Sequence, residues 1–253
     1  MKPKEIHEKI TDLFKKNKLD WITLLLPLDK MQNWALLTSK RLKISRRILS
    51  ERISELFWSV GYSQLSLGYS LWCLEHCKYP NGVSGVAFFE SEIPNAIDIP
   101  AIHFCYHLHT SEECLYRCWE RITSIVQAIC YHNINEKLYF NGLVNKIKND
   151  TRYNINPKLK ELSKLEKTWN KVARLRNLSS HQESSPMKLR KIEGKESGLY
   201  DPRGKVILCA DYSYKNLNSE IQEIQDLYKR LLSSIRTMKE FIDNIQNPTP
   251  IKM

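Results

Sequence analysis

Six consecutive residues, Arg176-Asn177-Leu178-Ser179-Ser180-His181, bring together side chains suited to chemistry at a phosphodiester. Arginine stays charged and presents a planar fork of donors that fits a phosphate. Histidine exchanges a proton near neutral pH, and an amide beside them can orient either partner or the substrate. If the backbone is helical here, Asn177 and His181 share a face, with Arg176 about 100° round from Asn177. RNA carries its own nucleophile, the 2′-hydroxyl. Its cleavage therefore asks only for alignment, proton transfer and charge stabilisation at phosphorus. On this reading His181 transfers the proton. Arg176 binds the phosphate and stabilises the phosphorane-like transition state, and Asn177 orients His181 or the ribose. The product would be a 2′,3′-cyclic phosphate, and DNA, lacking the 2′-hydroxyl, should resist. The plain alternative is that Arg176 pairs with a nearby acid, His181 caps the helix C-terminus, and neither reacts.

Cations surround this cluster. Lys158, Lys160, Lys164, Lys167, Lys171 and Arg174 run up to it, and Lys164, Lys167, Lys171 and Arg174 are the candidate RNA-binding residues. A second group, Lys40, Arg41, Lys43, Arg46, Arg47 and Arg52, opens the first long helical region. The formal net charge is +11 and the sequence pI about 9.2, a balance that favours polyanionic partners. Either group could equally be a solvated helix face. Tyr212, Tyr214 and Lys215 offer rings that could stack on a base, although seating their loop on the bundle is the favoured role.

The 253 residues suffice for one large domain, and 42% hydrophobic against 26% charged is ordinary for a globular core. The charged N-terminus lacks the apolar region of a secretory signal. The longest apolar stretch, Trp21 to Leu28, contains Pro27 and is too short for a bilayer. No membrane partner is expected. Seven cysteines, an odd count, read as reduced thiols in a cytoplasm. Cys73 and Cys77 are four apart, as are Cys114 and Cys118, with His76, His103, His107 and His109 close by. That spacing is allowed for zinc, yet in long helices core packing is the expected role. No glycine-rich phosphate loop, Ser-His-Asp order or acidic metal-binding cluster stands out.

Periodicity supplies the frame. Ile6, Ile10 and Leu13 mark a short helix within 3–17. Residues 40–78 form a first long helical region. Leu49, Ile53, Leu56 and Val60 are its buried stripe, and Leu65, Tyr69, Trp72 and His76 carry a similar stripe onward. Gly61 and Gly68 predict a kink or break. Tyr79-Pro80-Asn81-Gly82 signals a turn, followed by an irregular segment with an extended piece at Val86 to Phe89. A second long helix runs from Ile99-Pro100 to Tyr131 on Leu115, Trp119, Ile122, Val126 and Ile129. A minor helix is expected at 135–149. A third core helix starts at Pro157 and delivers the cluster, through Leu159, Leu162, Leu165, Trp169 and Val172. Lys188 to Ile192 and Lys205 to Asp211 have strand character around Pro202-Arg203-Gly204, a hairpin in the loop before the last helix. That helix, 216–246, has Leu217, Ile221, Ile224, Leu227, Leu231, Ile235, Met238, Ile242 and Ile245 at helical spacing before Pro248 and Pro250. The expectation is an all-α bundle of four to six helices, with 1–38 as a helical extension and 39–247 as the bundle of a single domain.

The six-residue cluster resembles the signature of the HEPN superfamily (higher eukaryotes and prokaryotes nucleotide-binding domains). That signature is Arg, four to six residues, then His, with a polar residue, often Asn, directly after the Arg. Members are mostly helical bundles with the motif on the third core helix or its end. The resemblance spans roughly 40–246, but its specific part is Arg176 to His181. It implies a metal-independent endoribonuclease needing no cofactor, which acts on RNA as a homodimer with both motifs facing one cleft. It further implies a toxin or phage-defence role, with an antitoxin or defence-system partner. Other members only bind, so a non-catalytic module for RNA, a nucleotide or a partner protein is the alternative. Members paired with a nucleotidyltransferase often carry Tyr two residues after the His. Glu183 stands there in this chain, so an antitoxin that modifies that Tyr is not supported.

Overall fold

The computed structural model describes residues 3–17, 28–77, 99–132, 138–181, 187–190, 211–214 and 217–245. Its elements in chain order are α1 (Pro3–Lys16), α2 (Leu28–Leu42), α3 (Arg46–His76), α4 (Ile99–Tyr131), α5 (Phe140–Lys148), α6 (Leu159–Lys164) and α7 (Glu166–His181). Strands β1 (Met187–Arg190) and β2 (Asp211–Tyr214) and helix α8 (Leu217–Asp243) follow. The protein is an all-α bundle, and the two short strands pair antiparallel, with Met187 opposite Tyr214 and Arg190 opposite Asp211.

Helices α3 and α4 form its spine. Ser63 meets Ser111, Tyr69 stacks on His107 and Glu55 pairs with Arg121, so α3 numbers rise as α4 numbers fall and the two are antiparallel. Buried hydroxyls lock their register. Ser63 Oγ donates to Ser111 O at 2.6 Å, and Ser111 Oγ donates back to Ser63 O at 3.0 Å. Tyr228 of α8 closes the triangle by donating its hydroxyl to Ser63 Oγ.

The apolar faces of α4 and α8 are buried along the expected stripes. Leu115, Trp119, Ile122, Val126 and Ile129 of α4 belong with Ile221, Leu227, Leu231, Ile235, Met238 and Ile242 of α8 to one hydrophobic cluster. Ile10, Leu13 and Phe14 of α1, and Met31, Trp34 and Ala35 of α2, belong to the same cluster. Arg41 fastens α2 to the end of α8. Its guanidinium donates to the carbonyls of Ile242 (2.9 Å), Asp243 (3.1 Å) and Ile245 (3.0 Å), the orphan acceptors of a helix C-terminus.

Several elements differ from the sequence expectation. The first long helical region is interrupted: α2 ends at Leu42, Lys43 takes φ 53°, and α3 begins only at Arg46. Ser45 caps that start, accepting from Ile48 N at 3.4 Å. Of the kink or break expected at Gly61 and Gly68, the break does not occur: α3 is one helix to His76. Gly68 instead makes room for Ile10 of α1, since a Cβ there would collide with Ile10 Cγ2.

The buried stripe of α3 does not continue through Leu65, Tyr69, Trp72 and His76. It passes through Gln64, Leu67 and Leu71, because steps of four, seven and eleven from Val60 keep one face. A step of five to Leu65 turns about 140° away. The third core helix is divided at Leu165, whose N–H reaches back to Leu162 O at 3.1 Å, and it starts at Leu159 rather than Pro157. The minor helix begins at Phe140. The second strand lies at Asp211–Tyr214, and most of the piece expected at 205–211 falls outside the described residues. So do the Trp21–Pro27 stretch, the turn at 79–82, Val86–Phe89, Pro202–Gly204, Lys215, Pro248 and Pro250.

Candidate functional site

Trp169 and Val172 anchor α7 in the core, which leaves its opposite side to solvent. Lys167, Asn170, Arg174 and Asn177 are all exposed there. Helical geometry places them, with position 181, inside an arc of about 80°. The helix extends through His181, so Asn177 and position 181 stand one turn apart on one face. Side chains from Leu178 to His181 lie outside the described residues.

Arg176 lies outside that arc, about 100° from Asn177 and about 140° from position 181, on the side of α7 that carries Trp169 and turns toward α4. Its Nε lies 3.3 Å from Glu113 Oε2, and its guanidinium carbon sits 5.2 Å from the centre of the Tyr116 ring. One terminal nitrogen donates to Asn177 Oδ1 at 3.4 Å. The side chain is 30% exposed, held by an acid and an aromatic face yet open to solvent. Burial pushes the Tyr116 phenol above its ordinary range, so it stays a neutral platform. The structure thus brings Arg176 and Asn177 into contact. Glu113 and Tyr116 were missed by the sequence reading, and no local signal marks them: Glu113 is 63 residues away in the chain.

Under the Arg176–Tyr116 pair an aromatic row continues. Tyr116 lies 5.1 Å from Trp169, and Trp169 lies 6.5 Å from Tyr139 with ring planes 26° apart. Asn141 Nδ2 donates to Asn170 Oδ1 at 2.7 Å, joining the start of α5 to the exposed face of α7.

The candidate RNA-binding cations are on the surface. Lys164 ends α6, and Lys167, Lys171 and Arg174 follow on α7, with Lys171 Nζ 3.0 Å from Glu223 of α8. Lys158 pairs with Glu240 at 3.0 Å. The other basic group is more committed: Arg41 serves the α8 C-terminus, Arg47 pairs with Glu51 (2.8 Å) and Arg52 with Glu55 (3.1 Å). Tyr212 and Tyr214 fall on β2, opposite Leu189 and Met187.

Four of the described thiols are core groups and Cys77 is half-buried. Cys73, Cys114, Cys118 and Cys130 are buried, and burial raises the pKa of each. His76 Nδ1 lies 2.8 Å from Trp72 O, and His107 stacks on Tyr69 at 5.1 Å. Among the described residues no group of three or more His, Cys, Asp or Glu is placed to hold a metal ion.

A further feature of the surface is an aromatic seam on α3. Trp58 (65% exposed), Tyr62 (57% exposed) and Leu65 are followed by the half-buried Tyr69 and Trp72 and the exposed His76. Their spacing alternates four and three, the period that keeps a stripe facing a partner helix.

No protein-family model, curated protein or solved structure matches the chain. Among the described residues no helix is long and apolar enough to cross a membrane.

Proposed function

We propose that this chain is a HEPN-like, metal-independent endoribonuclease that works as a homodimer in a toxin or phage-defence setting. One observation carries the reading: α7 continues as helix to His181, its exposed polar face carries Asn177, and the solvent-accessible guanidinium of Arg176 reaches that asparagine. In this reading Lys164, Lys167, Lys171 and Arg174 attract the RNA backbone. Arg176 takes the scissile phosphate, Asn177 orients the ribose or His181, and His181 moves the proton from the 2′-hydroxyl. The α3 seam supports the homodimer, because an exposed Trp, Tyr and Leu at heptad spacing suit a second helix.

The Arg176–Glu113 ion pair favours a second reading, a non-catalytic module that binds RNA, a nucleotide or a partner protein. An arginine already engaged by a carboxylate is less available to a phosphate. Purified protein incubated with RNA in EDTA separates the two. The enzyme reading expects cleavage that survives the chelator, yields 2′,3′-cyclic phosphate ends, and disappears in Arg176→Ala and in His181→Ala. Cleavage unchanged in either variant removes these residues from the site. Binding without cleavage selects the second reading.

A further inference from the structure

We infer that Tyr139 is a base-stacking residue that takes an unpaired base of the RNA held at the proposed site. This inference rests on the RNA-directed reading of α7 above.

Tyr139 immediately precedes α5 in extended backbone, and its side chain makes no capping bond to that helix. Aromatic side chains usually gain by burial, yet this one is 54% exposed. It is also braced. Its ring lies nearly parallel to Trp169, which is buried against Tyr116, which in turn carries the Arg176 guanidinium. One continuous row of rings therefore connects the proposed phosphate ligand to an exposed platform backed by a buried ring.

The polar face of α7 leads to the same place. The Asn141–Asn170 hydrogen bond ties the start of α5, beside Tyr139, to Asn170. Asn170 and Asn177 are two turns apart on one face, about 10 Å along the helix axis. Lys167 and Arg174 are exposed on that face. Arg176 and Trp169 are likewise two turns apart on the neighbouring side of α7, so a strand with a phosphate at Arg176 can reach the Tyr139 ring, stacked on Trp169, within a few nucleotides.

The chemistry then selects an unpaired base. A base in a single strand can be splayed out to offer its π-face to an aromatic ring. In a duplex the same faces are occupied by neighbouring bases, and a tyrosine beside a phosphate track has nothing to stack on. Stacking is tolerant of base identity, so sequence preference arising at Tyr139 should be slight.

The test uses the full chain carrying His181→Ala, to prevent turnover, and a single-stranded oligoribonucleotide with one 2-aminopurine, beside a duplex of the same sequence. The expected result is tighter binding of the single strand with quenching of the fluorophore. Tyr139→Ala should weaken that binding about 5- to 100-fold and remove the quench, Tyr139→Phe should retain both, and duplex binding should not respond. Circular dichroism of each variant confirms folding. Single-strand affinity within about twofold of the parent in a folded Tyr139→Ala protein overturns the inference, as does a preference for duplex. Either result leaves the RNA reading intact. Absence of binding to both RNAs by the parent overturns the inference and the RNA reading together.

Discussion

Arg176 Nε lies 3.3 Å from Glu113 Oε2, so the guanidinium beside the polar face of α7 is steered by an acid from α4. The pair is about one-third exposed on each side, and such partners hold each other by about 1 kcal/mol or less. A phosphate must compete with that carboxylate or share the arginine with it. Glu113→Gln should therefore raise RNA affinity by up to about fivefold at low salt, with melting temperature little changed. Filter binding across a salt series reads the effect. Weaker binding in Glu113→Gln would show instead that the acid holds Arg176 in its working position.

The α3 seam makes a separate prediction about assembly. Trp58 and Tyr62 are mostly exposed in the single chain, so Trp58→Asp with Tyr62→Ser should cost little monomer stability, about 0.5 kcal/mol or less per site. The pair should nevertheless convert a dimer into a monomer in sedimentation velocity. A parent that is already monomeric, or a double variant that remains dimeric, rules the seam out as the contact.

Two glycines of one helix should respond oppositely to the same substitution. A methyl group on Gly61 would find nothing within 4 Å, whereas a Cβ at Gly68 meets Ile10. Gly61→Ala should gain about 0.5–1 kcal/mol from helix propensity. Gly68→Ala should lose about 1–3 kcal/mol, because the clash with α1 exceeds that gain. Urea denaturation measures both. Equal and stabilising effects would mean that α1 does not press on Gly68.

Stability should fall in alkali. Burial raises the thiols of Cys118 and Cys130 above their ordinary value of 9.0, and the phenol of Tyr228 above 10.0. The unfolded chain ionises at those ordinary values while the folded chain resists. The folded state therefore holds more protons, and stability is complete below about pH 9 and declines as pH rises beyond it. Melting temperatures from pH 7 to 11 should be level at first and then drop. Native Cys118 and Cys130 should also resist maleimide until denaturant is added. Rapid labelling of either in the folded protein would contradict their burial.

Much of the bundle is legible in the chain because burial repeats with the helix turn. The α4 limits, Ile99 and Tyr131, and the α8 stripe from Ile221 to Ile245 are local patterns that a helix either satisfies or does not. The α3 face escapes the same reasoning. Two apolar stripes share that helix, and spacing alone does not say which one joins the core and which stays largely in water. Leu67 and Leu71 lie inside while Leu65 and His76 stay out.

The candidate site divides along the same line. Arginine, asparagine and histidine at 176, 177 and 181, and a helix able to align the last two, follow from residue types and a local period. That determination needs no other part of the chain. What stands against them is settled by the antiparallel α3–α4 spine and the docking of α7 on it, which set Glu113 and Tyr116 beside Arg176 and line Trp169 up with Tyr139. Such neighbours come from segments far apart in sequence. Their meeting depends on how helices pack rather than on how any one of them is written, so only the tertiary structure decides it.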